Sequence, residues 1–213
     1  MRNTITREVL MNSSSPETGR GTTPPGARGL HMASHLSEPG HVVVDFARLP
    51  RLGAGDRSYV WSAVDAETGW AYAELQPDLS ANSARAFLAA VKQHASFRVR
   101  TVLAETPAID QAGPAGGSYL DEVCAQLGVD LQERRLPPHA STAAEALLSK
   151  IVREGERCAL TSVGEFSEFL KVFVERHNET LNPNRGTRET PKQALSRWRS
   201  ERPDLFVSDS ARP

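Results

Sequence analysis

Val42, Val43 and Val44 run without a break into Asp45, a β-branched run of the kind that fills a central strand buried on both faces, with a carboxylate at its end. Arg48 to Asp56 carries Pro50, Gly53 and Gly55, which is turn chemistry, and Tyr59 to Val64 is again apolar and aromatic. Asp65 to Gly69 interrupts the pattern, and Trp70 to Leu75 alternates as a third strand. Three short strands joined by tight connections predict an antiparallel meander with Asp45 on its first strand.

The period then changes. Ser80 is placed to cap a helix on which Ala84, Phe87, Leu88, Val91 and Ala95 recur at helical spacing. Phe97 to Leu103 reads as a fourth strand that runs into Glu105, and Ala112 to Ser118 as a Gly- and Pro-rich loop. Tyr119 to Leu127 reads as a short helix burying Leu120, Val123, Cys124 and Leu127, stopped by Gly128 at C′. Val129 to Arg135 is the fifth strand, halted by Leu136-Pro137-Pro138. Ser141 or Thr142 caps a helix carrying Ala144, Glu145, Leu147, Leu148 and Ile151. Ser162 and Glu165 form a capping box ahead of the stripe Phe166, Phe169, Leu170, Phe173, Val174 and His177. Pro191 stands at N1 of a last helix with Ala194, Leu195 and Trp198 on one face, ended by Arg202-Pro203. Strands and helices in this order give the α/β class.

Composition sets the limits. The 213 residues suffice for one sizeable domain with appendages. Residues 1–40, rich in Ser, Thr, Gly, Pro and Arg, are expected to be a disordered tail, as are 207–213. The formal net charge of −1 excludes a uniformly basic nucleic-acid-binding surface, but the charge is unevenly spread. Residues 41–170 hold 12 Lys and Arg against 17 Asp and Glu, net −5, whereas 171–202 hold 8 against 4, net +4. Any nucleic-acid contact therefore favours the C-terminal segment. The two cysteines, Cys124 and Cys158, lack metal-ligand spacing, and Cys124 falls at a buried helical position. With no membrane-length apolar run and no signal-peptide core at the N-terminus, a cytoplasmic, reduced protein is expected.

Two separated stretches carry a family resemblance. The wording VDFARLP, followed by AVDAETGWAYAELQPD, resembles the catalytic core of bacterial insertion-sequence transposases of the DDE, retroviral-integrase-like superfamily. The stretch from Phe173 to Phe206, FVERHNETLNPNRGTRETPKQALSRWRSERPDLF, resembles the tail of the same proteins. The resemblance implies an RNase H-like fold, a mixed five-stranded sheet with helices on both faces. It divides the chain into a core over 41–180 and a basic loop and helix over 181–206. The helix-turn-helix modules that normally precede such a core find no counterpart in the pattern of residues 1–40.

The family's three acids, Asp, Asp and Glu, fall on Asp45, Glu105 and Glu145, which the resemblance makes both catalytic residues and ligands of Mg²⁺ or Mn²⁺. Such chemistry uses two divalent cations, one activating the attacking oxygen and one stabilising the leaving oxygen. Glu105 stands where the family has Asp, a methylene longer than a cation demanding ~2.0–2.1 Å contacts tolerates well. Thr106-Pro107 replaces Asn-Gly, His139 to Thr142 replaces a polar turn, and Ala146 replaces an Arg that would contact phosphate. Without the resemblance, Asp45 would read as a strand-end acid, Glu105 and Glu145 as solvated charges, Asp65 as a turn residue beside Gly69, and His177 as a packing or capping histidine. DNA contacts are expected from Lys171, Arg176, Arg185, Arg188, Lys192, Arg197 and Arg199. The resemblance thus implies a transposase or integrase core whose metal-dependent DNA cleavage and strand transfer are impaired, with DNA and a second copy of itself as partners and no membrane. The alternative is a non-enzymatic remnant that binds DNA or oligomerises.

Overall fold

The structure, a computed structural model, describes residues 38–49, 58–104, 119–133, 143–181 and 188–207. Glu105, Arg185, the expected loop Ala112 to Ser118, the Ser141 or Thr142 cap, and all but the last three residues of the expected N-terminal tail lie outside the described residues. Among the described residues there are five strands: β1 (His41–Arg48), β2 (Tyr59–Asp65), β3 (Ala71–Gln76), β4 (Thr101–Ala104) and β5 (Asp130–Glu133). Helices α1 (Ala81–His94), α2 (Tyr119–Gln126), α3 (Ala143–Arg157), α4 (Val163–Glu179) and α5 (Pro191–Glu201) connect or follow them, with a 3₁₀ turn at Pro203–Leu205.

The sheet order is β3-β2-β1-β4-β5. β1, β2 and β3 are antiparallel neighbours, and β4 and β5 run parallel to β1. This is the mixed five-stranded arrangement of the RNase H-like fold. The valine run of β1 is continuous because both sheet faces are covered. Val42 and Val44 join Trp61, Phe87, Val91, Phe97, Leu120 and Val123 in one core, on the α1 and α2 side. Val43 joins Val60, Val64, Leu147, Ile151, Phe166 and Leu170 in a second core, on the α3 and α4 side.

Local signals act where the sequence places them. The Ser80 side chain accepts the Ser83 N–H, and complete capping boxes start α4 (Ser162 with Glu165) and α5 (Thr190 with Gln193). Gly128 closes α2 with φ +63°. Packing begins before His41: Pro39 and Gly40 are buried, and the Gly40 carbonyl accepts the N–H groups of Arg100 (2.8 Å) and Thr101 (3.1 Å). Gly40 has φ +116°, and a Cβ there would lie 2.6 Å from the Arg98 carbonyl oxygen, so only glycine fits.

The fourth strand differs from its expected extent. Only Thr101–Ala104 joins the sheet, and Phe97 instead bridges to Phe206. Arg98 N–H donates to the Leu205 carbonyl (2.8 Å) and Val207 N–H to that of Ser96 (3.1 Å). The alternation of Phe97 to Arg100 is extended backbone, but its partner is the C-terminal segment. That segment is built into the first core: Leu205 and Phe206 are buried there, with Leu195 and Trp198 of α5 against it.

Candidate active site

Asp45 lies past the middle of β1, directly opposite Ser62 of β2. Residues directly opposed in an antiparallel pair project from the same face, and Val43, two positions back, belongs to the core under α3 and α4. Asp45 and Ser62 therefore face α3. Ser62 is wholly buried, and its hydroxyl lies 3.4 Å from the Ala144 carbonyl oxygen in the first turn of that helix. The next residue is Glu145. Ser62 thus ties the opening of α3 to the strand position facing Asp45, and the first and third expected acids come to one locality.

The two acids differ in setting. Asp45 is half-buried, and its Oδ1 accepts the Phe46 N–H at 2.8 Å, which fixes the carboxylate against its own strand. Glu145 is exposed in the first turn of α3, where a negative charge also favours the helix N-terminus. For the second acid, the parallel register pairs His41 with Thr101 through Val43 with Leu103, which carries β4 toward the level of Asp45 up to Ala104. Among the described residues, no three His, Cys, Asp or Glu side chains form a group able to hold a metal. Asp45 and Glu145 are nevertheless hard oxygen donors of the type Mg²⁺ and Mn²⁺ take, and such ions complete their ligation with waters and substrate oxygens.

Asp65 belongs to the turn. It is wholly buried; Oδ2 accepts the Gly40 N–H (2.8 Å), and Oδ1 accepts the Thr68 N–H and hydroxyl (both 2.7 Å). His177, half-buried, has Nε2 3.3 Å from the Gly69 carbonyl oxygen. Cys124 is buried, and its thiol is pushed up to about 11 by that burial, with the Asp121 charge adding to it.

Among the described residues, the cations expected to contact DNA do not form one stripe. Lys171 and Arg176 sit five residues apart on α4, about 140° around the helix. Four of the six that are described are in ion pairs: Lys171 with Glu168 (2.6 Å), Arg176 with Glu154 (2.7 Å), Lys192 with Glu179 (2.7 Å), and Arg197 with Glu189 (3.1 Å) and Glu201 (3.2 Å). The C-terminal end of α4 lies level with the start of β3, because Asn178 hydrogen-bonds Ala71. Ala71 is level with Val43 through Val64, two residues or ~7 Å short of the Asp45 level. Arg202 reaches Glu38, ahead of β1. Lys192, bonded to Glu179 at the foot of α4, and Arg202 thus lie toward the sheet end away from the acids.

Two residues outside the expected set matter to this arrangement, Ser62 and Asn178. Ser62 carried a signal, a lone hydroxyl inside the apolar run Tyr59 to Val64. No helix among the described residues is long and apolar enough to cross a membrane. Compared with known protein families and with curated proteins, the chain matches none.

Proposed function

We propose that this chain is the RNase H-like core of a DNA strand-transfer protein of the insertion-sequence transposase type, with chemistry impaired at its second carboxylate. The observation that carries the reading is the Ser62 contact with Ala144, which brings the Glu145 turn to the strand position facing Asp45. A carboxylate on the central strand and another on the facing helix suit the reaction, because both are held by rigid elements rather than loops. Asp45 and Glu145 would hold the divalent cations, with Glu105 as the third donor that the resemblance implies. When bound, those cations supply activation of the attacking oxygen and stabilisation of the leaving oxygen. Asp45, fixed by the Phe46 N–H, is the preorganised member; Glu145 is placed by the docking of α3.

Impairment follows from the departures at the site. Glu105 reaches a methylene farther than the Asp of the related enzymes, Pro107 stiffens the following backbone, and Ala146 offers phosphate no cation. The test is repair. Glu105→Asp with Thr106→Asn and Pro107→Gly, in a chain fused to a borrowed DNA-binding module, should raise Mn²⁺-dependent nicking of DNA above that of the unrepaired fusion. Asp45→Ala in the repaired background should abolish the gain. Robust nicking by the unrepaired fusion, lost with Asp45→Ala, would overturn the impairment; no cleavage from either fusion would overturn the enzymatic reading.

A further inference from the structure

Among the described residues β3 is an edge strand, and a third of its outward backbone groups are taken. The Trp70 carbonyl accepts the Asp65 N–H, so Trp70, Tyr72, Glu74 and Gln76 turn their backbone groups toward β2, and Ala71, Ala73 and Leu75 turn theirs outward. Asn178 takes both groups of Ala71. Among the described residues, the outward N–H and C=O groups of Ala73 and Leu75 have no partner. A groove of about 720 Å³ runs along them, with Leu170 and Val174 of α4 on one flank and Tyr72, Glu74 and His94 on the other. Unpaired strand edges with an apolar flank recruit an added strand.

Charge decides the occupant. Of the carboxylates lining the groove, Glu179 is held by Lys192, whereas Glu74 and Glu175 have no ion pair among the described residues. Pairing of two copies through both Ala73 and Leu75 would set Glu74 directly opposite the Glu74 of the other copy, and like charges so placed destabilise a sheet. A strand bearing Lys or Arg at that position removes the repulsion and supplies a counter-charge. Its neighbours on either side then point to the opposite face, toward Leu170 and Val174.

We propose that the β3 edge docks an extended segment of a partner protein, in which a Lys or Arg faces Glu74 and the flanking apolar residues lie over Ala73 and Leu75 against α4. Neither Asp45 nor Glu145 lines the groove, although Ala73 lies level with Asp45 through Ser62.

The probe is a synthetic nine-residue peptide of alternating Lys and Val, added to the full chain, with amide hydrogen exchange read by NMR. Saturable binding should slow exchange at Ala73 and Leu75 and leave Tyr72 and Glu74, already in the β2 ladder, unchanged. Glu74→Lys should weaken this peptide about fivefold or more and improve binding of the counterpart with Glu in place of Lys. A peptide N-methylated at alternate residues should not bind, a comparison that needs no variant. Equal binding of the N-methylated peptide, absence of saturable binding at millimolar peptide, or failure of Glu74→Lys to exchange the preference would each overturn the proposal. Slowed exchange at Ala73 and Leu75 on raising protein concentration alone would assign the edge to a second copy and overturn it as well.

Discussion

Asn178 treats Ala71 as a neighbouring strand would: its Oδ1 accepts the Ala71 N–H at 2.8 Å and its Nδ2 donates to the Ala71 carbonyl at 2.9 Å. One side chain at the end of α4 thereby seals the first outward position of β3 and fixes the helix along the sheet. Asn178→Ala should lower the unfolding free energy by about 1–3 kcal/mol, seen as a lower urea midpoint, because two backbone groups lose their partner. Asn178→Asp should do no better, since a carboxylate cannot donate to the carbonyl. An unchanged midpoint in both variants would show that water replaces the clamp without loss.

Gly155 is buried in the last turn of α3, where a Cβ would lie 2.7 Å from the Phe166 ring. Helix propensity alone favours Gly155→Ala by roughly 1 kcal/mol. The clash is with a buried aromatic ring, and overpacking of this kind costs about 1–3 kcal/mol. The variant should therefore melt at or below the parent temperature; a clear rise in Tm would mean that Phe166 moves aside freely.

The two thiols should separate by rate. Cys158 is exposed and Cys124 is buried, so a thiol reagent should modify Cys158 at once and Cys124 only on unfolding. Burial holds the Cys124 thiol up to about 11 in the folded chain, against an ordinary value of 9.0. Above pH 9 the unfolded chain has lost a proton that the folded chain keeps, so this group's contribution to stability falls as pH rises from about 9 to 11. Cys124→Ala should remove that part of the alkaline slope in a series of urea titrations.

DNA binding should be weak and should fall steeply between low and physiological salt, as counterion release requires. Exposed ion pairs are individually worth little, yet a cation already beside a carboxylate offers phosphate less net charge. Arg188 and Arg199 have no ion pair among the described residues. Reversing those two to Glu should weaken binding to a short duplex more than reversing Lys171 and Lys192. Binding indifferent to salt, or to both double reversals, would remove the C-terminal segment as a DNA contact.

Sequence reveals what a single stretch determines. The run Val42 to Val44 announces a strand covered on both faces, and the Ser162–Glu165 box marks its helix start, because each signal lies within a few residues. Pairing across long separations is not so encoded. Phe97 to Arg100 alternates equally well for a sheet or for Leu205 and Phe206, and only the folded chain chooses. Cations show the same limit: Arg176 reads as available charge until the fold sets Glu154, 22 residues away in sequence, beside it. At the candidate site, Asp45 and Glu145 are singled out by resemblance alone, whereas the contact of Ser62 is with Ala144, 82 residues on, which no local pattern announces.

The bridge between Phe97 and Phe206 also sets a timetable for a chain made from its N-terminus. The five described strands have all been synthesised by Glu133, yet the pocket around Phe97, where Trp70 stands edge-on at 5.3 Å, receives Leu205 and Phe206 only after about a further third of the sequence has emerged. Through that interval the nascent protein carries an apolar seam open to water, the kind of surface that chaperones bind and proteases find. A ribosome halted short of Leu205 would release a chain whose sheet can form but whose flank stays unsealed. Protease sensitivity in arrested nascent chains should accordingly drop only once residues 205–207 have cleared the ribosome, a step set by the last turn of the fold rather than by its central strand.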